Sequence, residues 1–300
     1  MKTPILFIIF NRPETTQKVF EAIRKYKPSK LFVAADGPRE SKPGEKERCG
    51  EARKITEKID WPCDVKRLYR EKNLGCKMAV SGAITWFFKN VEEGIILEDD
   101  CLPNRSFFDF CGKMLNLYRN DTKVMCISGD NFLPKSMQNK NGYYFSKYVH
   151  IWGWATWRRV WKNYDVDMES WPKVKKTGLL NTYFENFLEK AYWQTLFDAT
   201  YQSKVDTWDY QLVYHIWKNS GISVVPGKNL ISNIGFGKAA AHLKSKESPL
   251  SGLGTSMINQ KIKKMEVKMS GSADIYERKN IFAINPINTI KQKLYYALIK

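Results

Sequence analysis

The first third of the chain alternates short apolar runs with amphipathic stretches. The apolar runs are continuous and short, which is typical of strands buried on both faces, and the stretches between them have helical periodicity. Strands are predicted at Pro4–Phe10, Lys30–Ala35, Val65–Tyr69 and Gly94–Leu97. Helices are predicted at Glu14–Tyr26, Glu45–Ile59 and Lys77–Phe88. This order predicts an α/β fold with a mixed, mostly parallel sheet flanked by helices, as in Rossmann-like folds.

The rest of the chain is more helical and richer in aromatic residues. A strand is predicted at Val124–Ser128, and helices are predicted at Phe107–Tyr118, Leu179–Thr200 and Trp208–Asn219. Most Trp and Tyr residues lie between Tyr143 and Trp217, and the sequence becomes polar and basic from Lys244 onward. We therefore expect one domain made of two halves, residues 1–105 and 106–243, followed by a basic tail at 244–300.

The chain is strongly basic, with 49 Lys and Arg against 31 Asp and Glu and a formal net charge of +18. That charge fits a nucleic acid, an anionic membrane surface or a phosphorylated substrate, and a solubilising surface explains it equally well. In the tail, Thr289–Lys300 places apolar residues among lysines. This pattern is typical of an interfacial amphipathic helix or of a helix that docks on its own domain.

The cysteines and the apolar runs indicate the compartment. The six cysteines include no CxxC pair and lie in or beside apolar runs, as reduced thiols of a cytosolic protein do. No apolar run reaches the roughly 20 residues that a membrane-spanning helix needs. The apolar run at Ile5–Phe10 ends at Asn11-Arg12-Pro13 without a cleavage site, so it predicts a first strand. We expect a cytoplasmic protein, or one at the cytoplasmic face of the membrane.

Polar clusters follow three of the predicted strands. They are Asn11-Arg12-Pro13, Asp36-Gly37-Pro38-Arg39 and Glu98-Asp99-Asp100. In open α/β sheets, ligands bind beyond the carboxyl ends of the strands. Three consecutive acids repel one another unless a cation neutralises them, and Mg²⁺ or Mn²⁺ bound to carboxylates and to the phosphates of a nucleotide would do so. A solvated acidic loop is the alternative.

The segment Gly94–Pro103 resembles the DxD-type motif of GT-A glycosyltransferases. The EDD triplet is similar to that of the N-acetylglucosaminyltransferase I type and of related bacterial transferases of the family 2 kind. The resemblance implies that Asp100 binds the metal, with Glu98 near the ribose and Asp99 near the sugar. It also implies that Asn11 and Arg12 cradle the nucleotide and that Asp36 contacts a uracil. Asn-Arg-Pro and Asp-Gly are also ordinary turn sequences.

Later segments resemble the same family. Lys77, after the Glu71–Gly75 segment, is a candidate phosphate contact, although Ser81 stands where the animal enzymes carry a His. Trp154 lies in a Gly-Trp segment that resembles the one placed beside the sugar, and Arg158 or Arg159 is a candidate phosphate contact. Trp residues at this spacing on a helix are more often core.

Two more candidates lie in the second half. The Trp-Asp setting of Asp209 resembles that of the general base, with Asp206 as the reserve. His242 or Lys238, in a glycine-bearing segment similar to the flap over the donor, is a candidate contact for the diphosphate or metal.

The resemblance implies metal-dependent, inverting transfer of a sugar from a nucleotide-diphosphate donor, such as a UDP-sugar of the UDP-GlcNAc type. Residues 1–105 would bind the donor and residues 106–243 the acceptor, a hydroxyl of a glycan or lipid-linked intermediate in bacterial surface polysaccharide or lipopolysaccharide synthesis. The resemblance and the charge together lead us to expect a peripheral contact with an anionic membrane.

Three alternatives remain at this point. A nucleotidyltransferase also uses a βαβ nucleotide fold and acidic metal ligands, but the first βα turn lacks a glycine-rich, basic phosphate loop. A nucleic-acid-binding protein would use the charge and the aromatics, but no motif of a known module is present, so no nucleic acid is expected. A lectin-like module without catalysis is favoured if Asp209 is buried away from the cleft.

Overall fold

The computed structural model describes residues 2–138, 142–235, 250 and 253–299. The first strands are β1 to β4, at Ile5–Ile9, Lys30–Ala35, Asp64–Tyr69 and Glu93–Glu98. They are followed by β5 to β10, at Cys101–Pro103, Val124–Ser128, Tyr143–Ser146, Trp154–Trp157, Ile222–Pro226 and Ile231–Asn233. The first helices are α1 to α4, at Pro13–Tyr26, Glu45–Ile55, Gly75–Asn90 and Arg105–Tyr118. The later helices are α5 to α11, at Arg158–Trp161, Trp171–Lys176, Leu179–Tyr183, Phe187–Tyr201, Asp209–Lys218, Gly271–Asn280 and Pro286–Leu298.

Among the described residues, the main sheet has the strand order β3-β2-β1-β4-β8-β6-β9-β7. Strands β1 to β4 are parallel to one another, and β6 is parallel to β9. Strand β8 is antiparallel to both β4 and β6, and β7 is antiparallel to β9. The predicted mixed, mostly parallel sheet flanked by helices is therefore confirmed. The carboxyl ends of β1 to β4 and of β6 and β9 all lie at one edge.

The central strands form because their residues are apolar on both faces. Ile5, Leu6 and Phe7 of β1 are fully buried, as are Ile95 and Ile96 of β4. A strand buried on both faces needs partners that satisfy its backbone, and β1 pairs with β2 on one side and β4 on the other. This pairing fixes the directions in which the polar residues after each strand project.

Two elements differ from the sequence prediction. Trp154–Trp157 is the inner strand β8, whereas the spacing of its aromatic residues favoured a helix. The predicted helix Leu179–Thr200 is two helices, α7 and α8. The break between them has a local cause, since Asn186 caps α8 by accepting a hydrogen bond from the backbone N–H of Glu189.

The carboxyl-terminal residues from 253 onward pack against the sheet domain. The backbone N–H of Met265 donates to the hydroxyl of Tyr143, and Ser270 N–H donates to the carbonyl of Phe145. Glu277 of α10 is fully buried, and its carboxylate lies 2.8 Å from Nε2 of His150. No helix in the described part of the chain is long and apolar enough to cross a membrane.

Candidate nucleotide and metal site

The acidic triplet lies at the carboxyl end of β4, next to the end of β1. Arg12, in the connection between β1 and α1, places Nη1 2.8 Å from Oδ2 of Asp100. Its Nη2 pairs with Oδ1 of Asp99, whose other oxygen accepts a hydrogen bond from the Phe10 N–H at 3.1 Å. Asp99 is buried, with 2% of its surface exposed. Asp99 therefore orients Arg12, and Arg12 partly neutralises Asp100.

One guanidinium does not balance the charge of this cluster. Burial, followed by the repulsion of Asp100, raises the pKa of Glu98 to about 8. Burial also raises the pKa of Asp99 to about 6, against the attraction of Arg12. Carboxyls crowded in this way bind a cation or a proton to relieve their repulsion. Within the described residues, no hydrogen-bond donor is bound to the Glu98 carboxylate.

The donor set suits a divalent cation that shares its coordination with phosphate. No group of three or more His, Cys, Asp and Glu residues in the described part of the chain converges as a metal cage would. Mg²⁺ commonly takes one or two carboxylates, with waters and substrate phosphates as its other ligands. Asp100, half-buried beside Glu98, fits that pattern. His242, the other expected metal ligand, and Lys238 lie outside the described residues.

Gly235, which follows β10, lies against Asp100. A Cβ atom at position 235 would be 2.2 Å from Oδ2 of Asp100 and 2.8 Å from Nη1 of Arg12. The antiparallel pairing of Asn233 with Cys101 and the hydrogen bond from Ile234 N–H to the Asp100 carbonyl hold the backbone there. Only a residue without a side chain allows this approach, so the segment covers the ion pair directly.

Asp36, at the end of β2, holds the neighbouring connection in place. Its carboxylate accepts hydrogen bonds from the Leu74 N–H at 3.1 and 3.0 Å and from Nδ2 of Asn73 at 3.0 Å. Burial raises the pKa of Asp36, and the hydrogen bond from the Leu74 N–H acts in the opposite direction. The next residue, Gly37, lies against the backbone of the same connection. A Cβ atom at position 37 would be 2.4 Å from the carbonyl carbon of Lys72. The structure thus gives Asp36 protein partners where the resemblance implied a nucleobase.

Asn11 and Lys77 are also engaged by protein groups. Nδ2 of Asn11 donates to the buried carboxylate of Glu45 at 2.8 Å, and Arg39 pairs with the same carboxylate. Nζ of Lys77 lies 2.7 Å from Oδ1 of Asp167, on the loop before α6. The side chain of Lys77 is thus directed toward Asp167, and its contact with a phosphate stays a prediction.

The Gly-Trp segment does not line the site. Trp154 is 1% exposed, and its ring stacks on that of Trp208 with centroids 5.7 Å apart. Arg158 pairs with Glu92, and Arg159 donates to backbone carbonyls such as that of Val124. The reason is topological, because β8 runs antiparallel to β4 and carries both arginines to the opposite edge of the sheet. The proposed sugar and phosphate contacts of these residues are therefore corrected.

Asp209 begins α9 and is half-buried. Its carboxylate accepts hydrogen bonds from the Thr207 hydroxyl and, at 3.0 Å, from the Tyr210 N–H, and its negative charge contributes to the raised pKa of Glu98. Asp206 instead accepts from the backbone N–H groups of Cys76 and Lys77 at the start of α3. Asp209 is therefore within electrostatic reach of the triplet, which weighs against the lectin-like alternative.

Sequence reasoning missed Asp130. It follows β6 just as the triplet follows β4, at the same edge of the sheet, and it is 1% exposed. Neither carboxylate oxygen has a hydrogen-bond partner among the described atoms, and burial raises its pKa to about 7. The signal was the Ser128-Gly129-Asp130 sequence at a strand end, which falls under the same rule that pointed to the other three clusters.

No family model matches the chain, and no curated protein matches it in sequence. Solved structures similar to it include HddC from Yersinia pseudotuberculosis, at 7% identity and a TM-score of 0.34, covering 54% of this chain and 80% of that one. A 4-diphosphocytidyl-2C-methyl-D-erythritol synthase from Anaerococcus prevotii matches at 10% identity and 0.34, covering 65% and 84%. Apo UDP-glucose pyrophosphorylase matches at 10% identity and 0.35, covering 75% and 90%.

This comparison corrects the expected reaction. Two of these structures are named for nucleotidyl chemistry, one as the synthase of a diphosphocytidyl compound and the other as a pyrophosphorylase of UDP-glucose. Their names agree with the nucleotidyltransferase alternative better than with the expected glycosyl transfer. At these identities the likeness is one of fold, and a reaction has to be argued from this chain's own residues.

Proposed function

We propose that this chain is a divalent-cation-dependent nucleotidyltransferase that joins a nucleoside triphosphate to a sugar phosphate and releases pyrophosphate. The observation that carries the proposal is the Arg12–Asp100 ion pair, 2.8 Å long, at the carboxyl edge of the sheet. It sets a guanidinium and a carboxylate beside each other. The guanidinium would bind the phosphates of a nucleotide, and the carboxylate would hold a divalent cation.

The first βα turn lacks a glycine-rich, basic phosphate loop, but Arg12 provides a positive charge in that turn. The side chain of Arg12 is 24% exposed, so its guanidinium would turn from Asp100 toward the leaving pyrophosphate as substrate enters. Pro13 begins α1 in the same connection, and the amino end of a helix favours anions. Positive charge is thus available where negative charge develops during departure of the pyrophosphate.

The remaining residues have supporting roles in this reaction. Asp100, with Glu98 beside it, would hold Mg²⁺ or Mn²⁺, and such a cation would supply charge neutralisation for the phosphates. The attacking group is a phosphate oxygen, already ionised at neutral pH, so no general base is required. Asp209 is therefore given no proton-transfer role. Asp36, through Asn73 and Leu74, keeps the neighbouring connection in position.

The test is pyrophosphate release by the purified chain with each of the four nucleoside triphosphates, a panel of sugar 1-phosphates and Mg²⁺ or Mn²⁺. Asp100→Asn is expected to lower the rate by about a hundredfold or more, since it removes a ligand of the transition-state charge. Asp109→Asn, an exposed acid on α4, is the matched control. We expect Asp209→Asn to have a much smaller effect than Asp100→Asn.

Two outcomes would contradict the proposal. One is an unchanged rate of pyrophosphate release in Asp100→Asn. The other is release of a nucleoside diphosphate from nucleotide sugars by a chain that releases no pyrophosphate from any triphosphate. Incorporation of labelled pyrophosphate into a nucleoside triphosphate, in the presence of the matching nucleotide sugar, would support the proposal from the reverse direction.

A further inference from the structure

Helix α11, at Pro286–Leu298, has one face on the protein and one face in solvent. Thr289 is buried, and Tyr296 packs against the hydrophobic core, while its carbonyl accepts a hydrogen bond from Nζ of Lys204 at 2.7 Å. At 100° per residue these two positions lie on the same side of the helix. That side faces α8 and anchors α11 to the domain.

The opposite face of α11 is apolar and exposed. Four large aliphatic side chains on it are 58% to 83% exposed, and at their spacing they form a single stripe along the helix. We call this set the α11 stripe, and it consists of Ile287, Ile290, Leu294 and Leu298. Scattered exposed apolar residues are ordinary, but a contiguous stripe along one element marks an interaction surface.

The charges around the α11 stripe indicate its partner. Lys291 and Lys293 are exposed and lie on either side of the stripe on a helical wheel. From Arg278 to Lys300 the chain carries five Lys and Arg residues and no acid. The full chain has a formal charge of +18, so a second copy would meet like charge, whereas an anionic surface would meet opposite charge.

We infer that α11 docks the protein on an anionic lipid surface, with the α11 stripe inserted among the acyl chains and the flanking lysines at the headgroups. A helix in the membrane plane gains affinity from both terms, namely buried apolar area and attraction to anionic lipid. The α11 packing on α8 would then fix the orientation of the domain on the membrane. This inference is independent of the reaction that the strand-end site catalyses.

Sedimentation of the full chain with vesicles tests it. We expect binding to vesicles of equal parts phosphatidylglycerol and phosphatidylcholine, and little binding to phosphatidylcholine alone. Combined Ile290→Ser and Leu294→Ser should weaken binding by about tenfold or more, since two apolar side chains no longer insert. Lys291→Glu or Lys293→Glu should each weaken it by roughly fivefold or more, and added salt should do the same.

Ile275→Ser is the matched control, because Ile275 is 51% exposed on α10 and lies outside the α11 stripe. Thermal unfolding of each variant shows whether a variant that no longer binds vesicles is still folded. The inference is overturned if the wild-type chain does not bind the anionic vesicles, or if the stripe variants bind as well as the Ile275 control does. It is also overturned if light scattering shows a dimer that Leu294→Ser dissociates, because the stripe would then be an interface between copies.

Discussion

Nη1 of Arg12 lies 2.8 Å from Oδ2 of Asp100, while Nη2 of the same guanidinium pairs with Asp99. The contact joins the first βα connection to the end of β4, 88 residues away in sequence. One cation thus serves two carboxylates, with Glu98 as a third acid beside them. The arrangement leaves negative charge that a proton or an additional cation can neutralise, and the effect of a cation can be measured through stability.

Arg12→Met should lower the free energy of unfolding by about 3 kcal/mol in the absence of divalent cations, because it leaves two largely buried carboxylates unpaired. Mn²⁺ should restore part of that loss, since a cation that binds the folded state stabilises it. The expected result is a larger shift of the unfolding midpoint with Mn²⁺ in Arg12→Met than in the wild-type chain, measured by thermal or urea unfolding.

Arg119→Met is the control for this measurement. Arg119 pairs with Glu93 at the surface, where its side chain is 53% exposed, so the loss should stay below about 1 kcal/mol and should not respond to Mn²⁺. Equal effects of Mn²⁺ on both variants would show that the cation binds elsewhere.

The close contact between Gly37 and the Glu71–Gly75 segment gives a second prediction. A Cβ at position 37 would overlap backbone atoms of Glu71 and Lys72 at 2.4 to 2.6 Å, so one of the two segments has to move. Gly37→Ala should therefore destabilise the fold by about 2 kcal/mol. It should also weaken nucleotide binding, because the displaced connection borders the strand-end site.

Gly50→Ala provides the opposite control. Gly50 lies within α2, and a Cβ there meets no atom within 4 Å. Alanine should stabilise the helix by about 0.5–1 kcal/mol without changing nucleotide affinity. Urea unfolding and calorimetric titration of both variants measure the two effects, and a Gly37→Ala protein as stable as Gly50→Ala would refute the close approach.

The sequence predicts strands β1 to β4 and β6 well because each of them is a local apolar run. Strands β1 to β4 and β6 fall within a residue or so of the predicted runs, and the polar residues after them meet at one edge as the topology requires. Strand β8 is different, because its Trp-rich sequence fits both a helix and an inner strand. Its antiparallel insertion between β4 and β6 depends on pairing across the fold, which no local pattern contains.

The same limit applies to the individual side chains of the site. Trp154 was a candidate sugar contact by motif, but its pairing in β8 places it in the core. Lys77 was a candidate phosphate contact at the start of α3, but Asp167, ninety residues away, pairs with it. Position along the chain predicts which edge a residue reaches. Its partners are set by elements that are distant in sequence.

Asp130 provides the last prediction. It is buried without a hydrogen-bond partner among the described atoms, and burial raises its pKa. The charge of His150 acts in the opposite direction, whereas the carboxylate of Glu277 adds to the rise. The pKa of Asp130 is about 7 in the folded chain, against 3.8 as the ordinary value. The folded state therefore holds the proton more tightly than the unfolded state does, so this group lowers stability as the pH rises from about 4 to about 7.

Asp130→Asn removes the ionisation. Above pH 7 the variant should be more stable than the wild-type chain, by on the order of 2–4 kcal/mol. Below about pH 4 the difference should vanish, because Asp130 is then protonated in both the folded and the unfolded state. Urea unfolding across this pH range measures it, with the exposed Asp64→Asn as control. A constant difference between Asp130→Asn and wild type at all pH values would show that Asp130 does not titrate in this range. Because Asp130 lies at the same edge as Asp100, a gain in stability accompanied by a loss of pyrophosphate release would mark it as a residue retained for activity at a cost in stability.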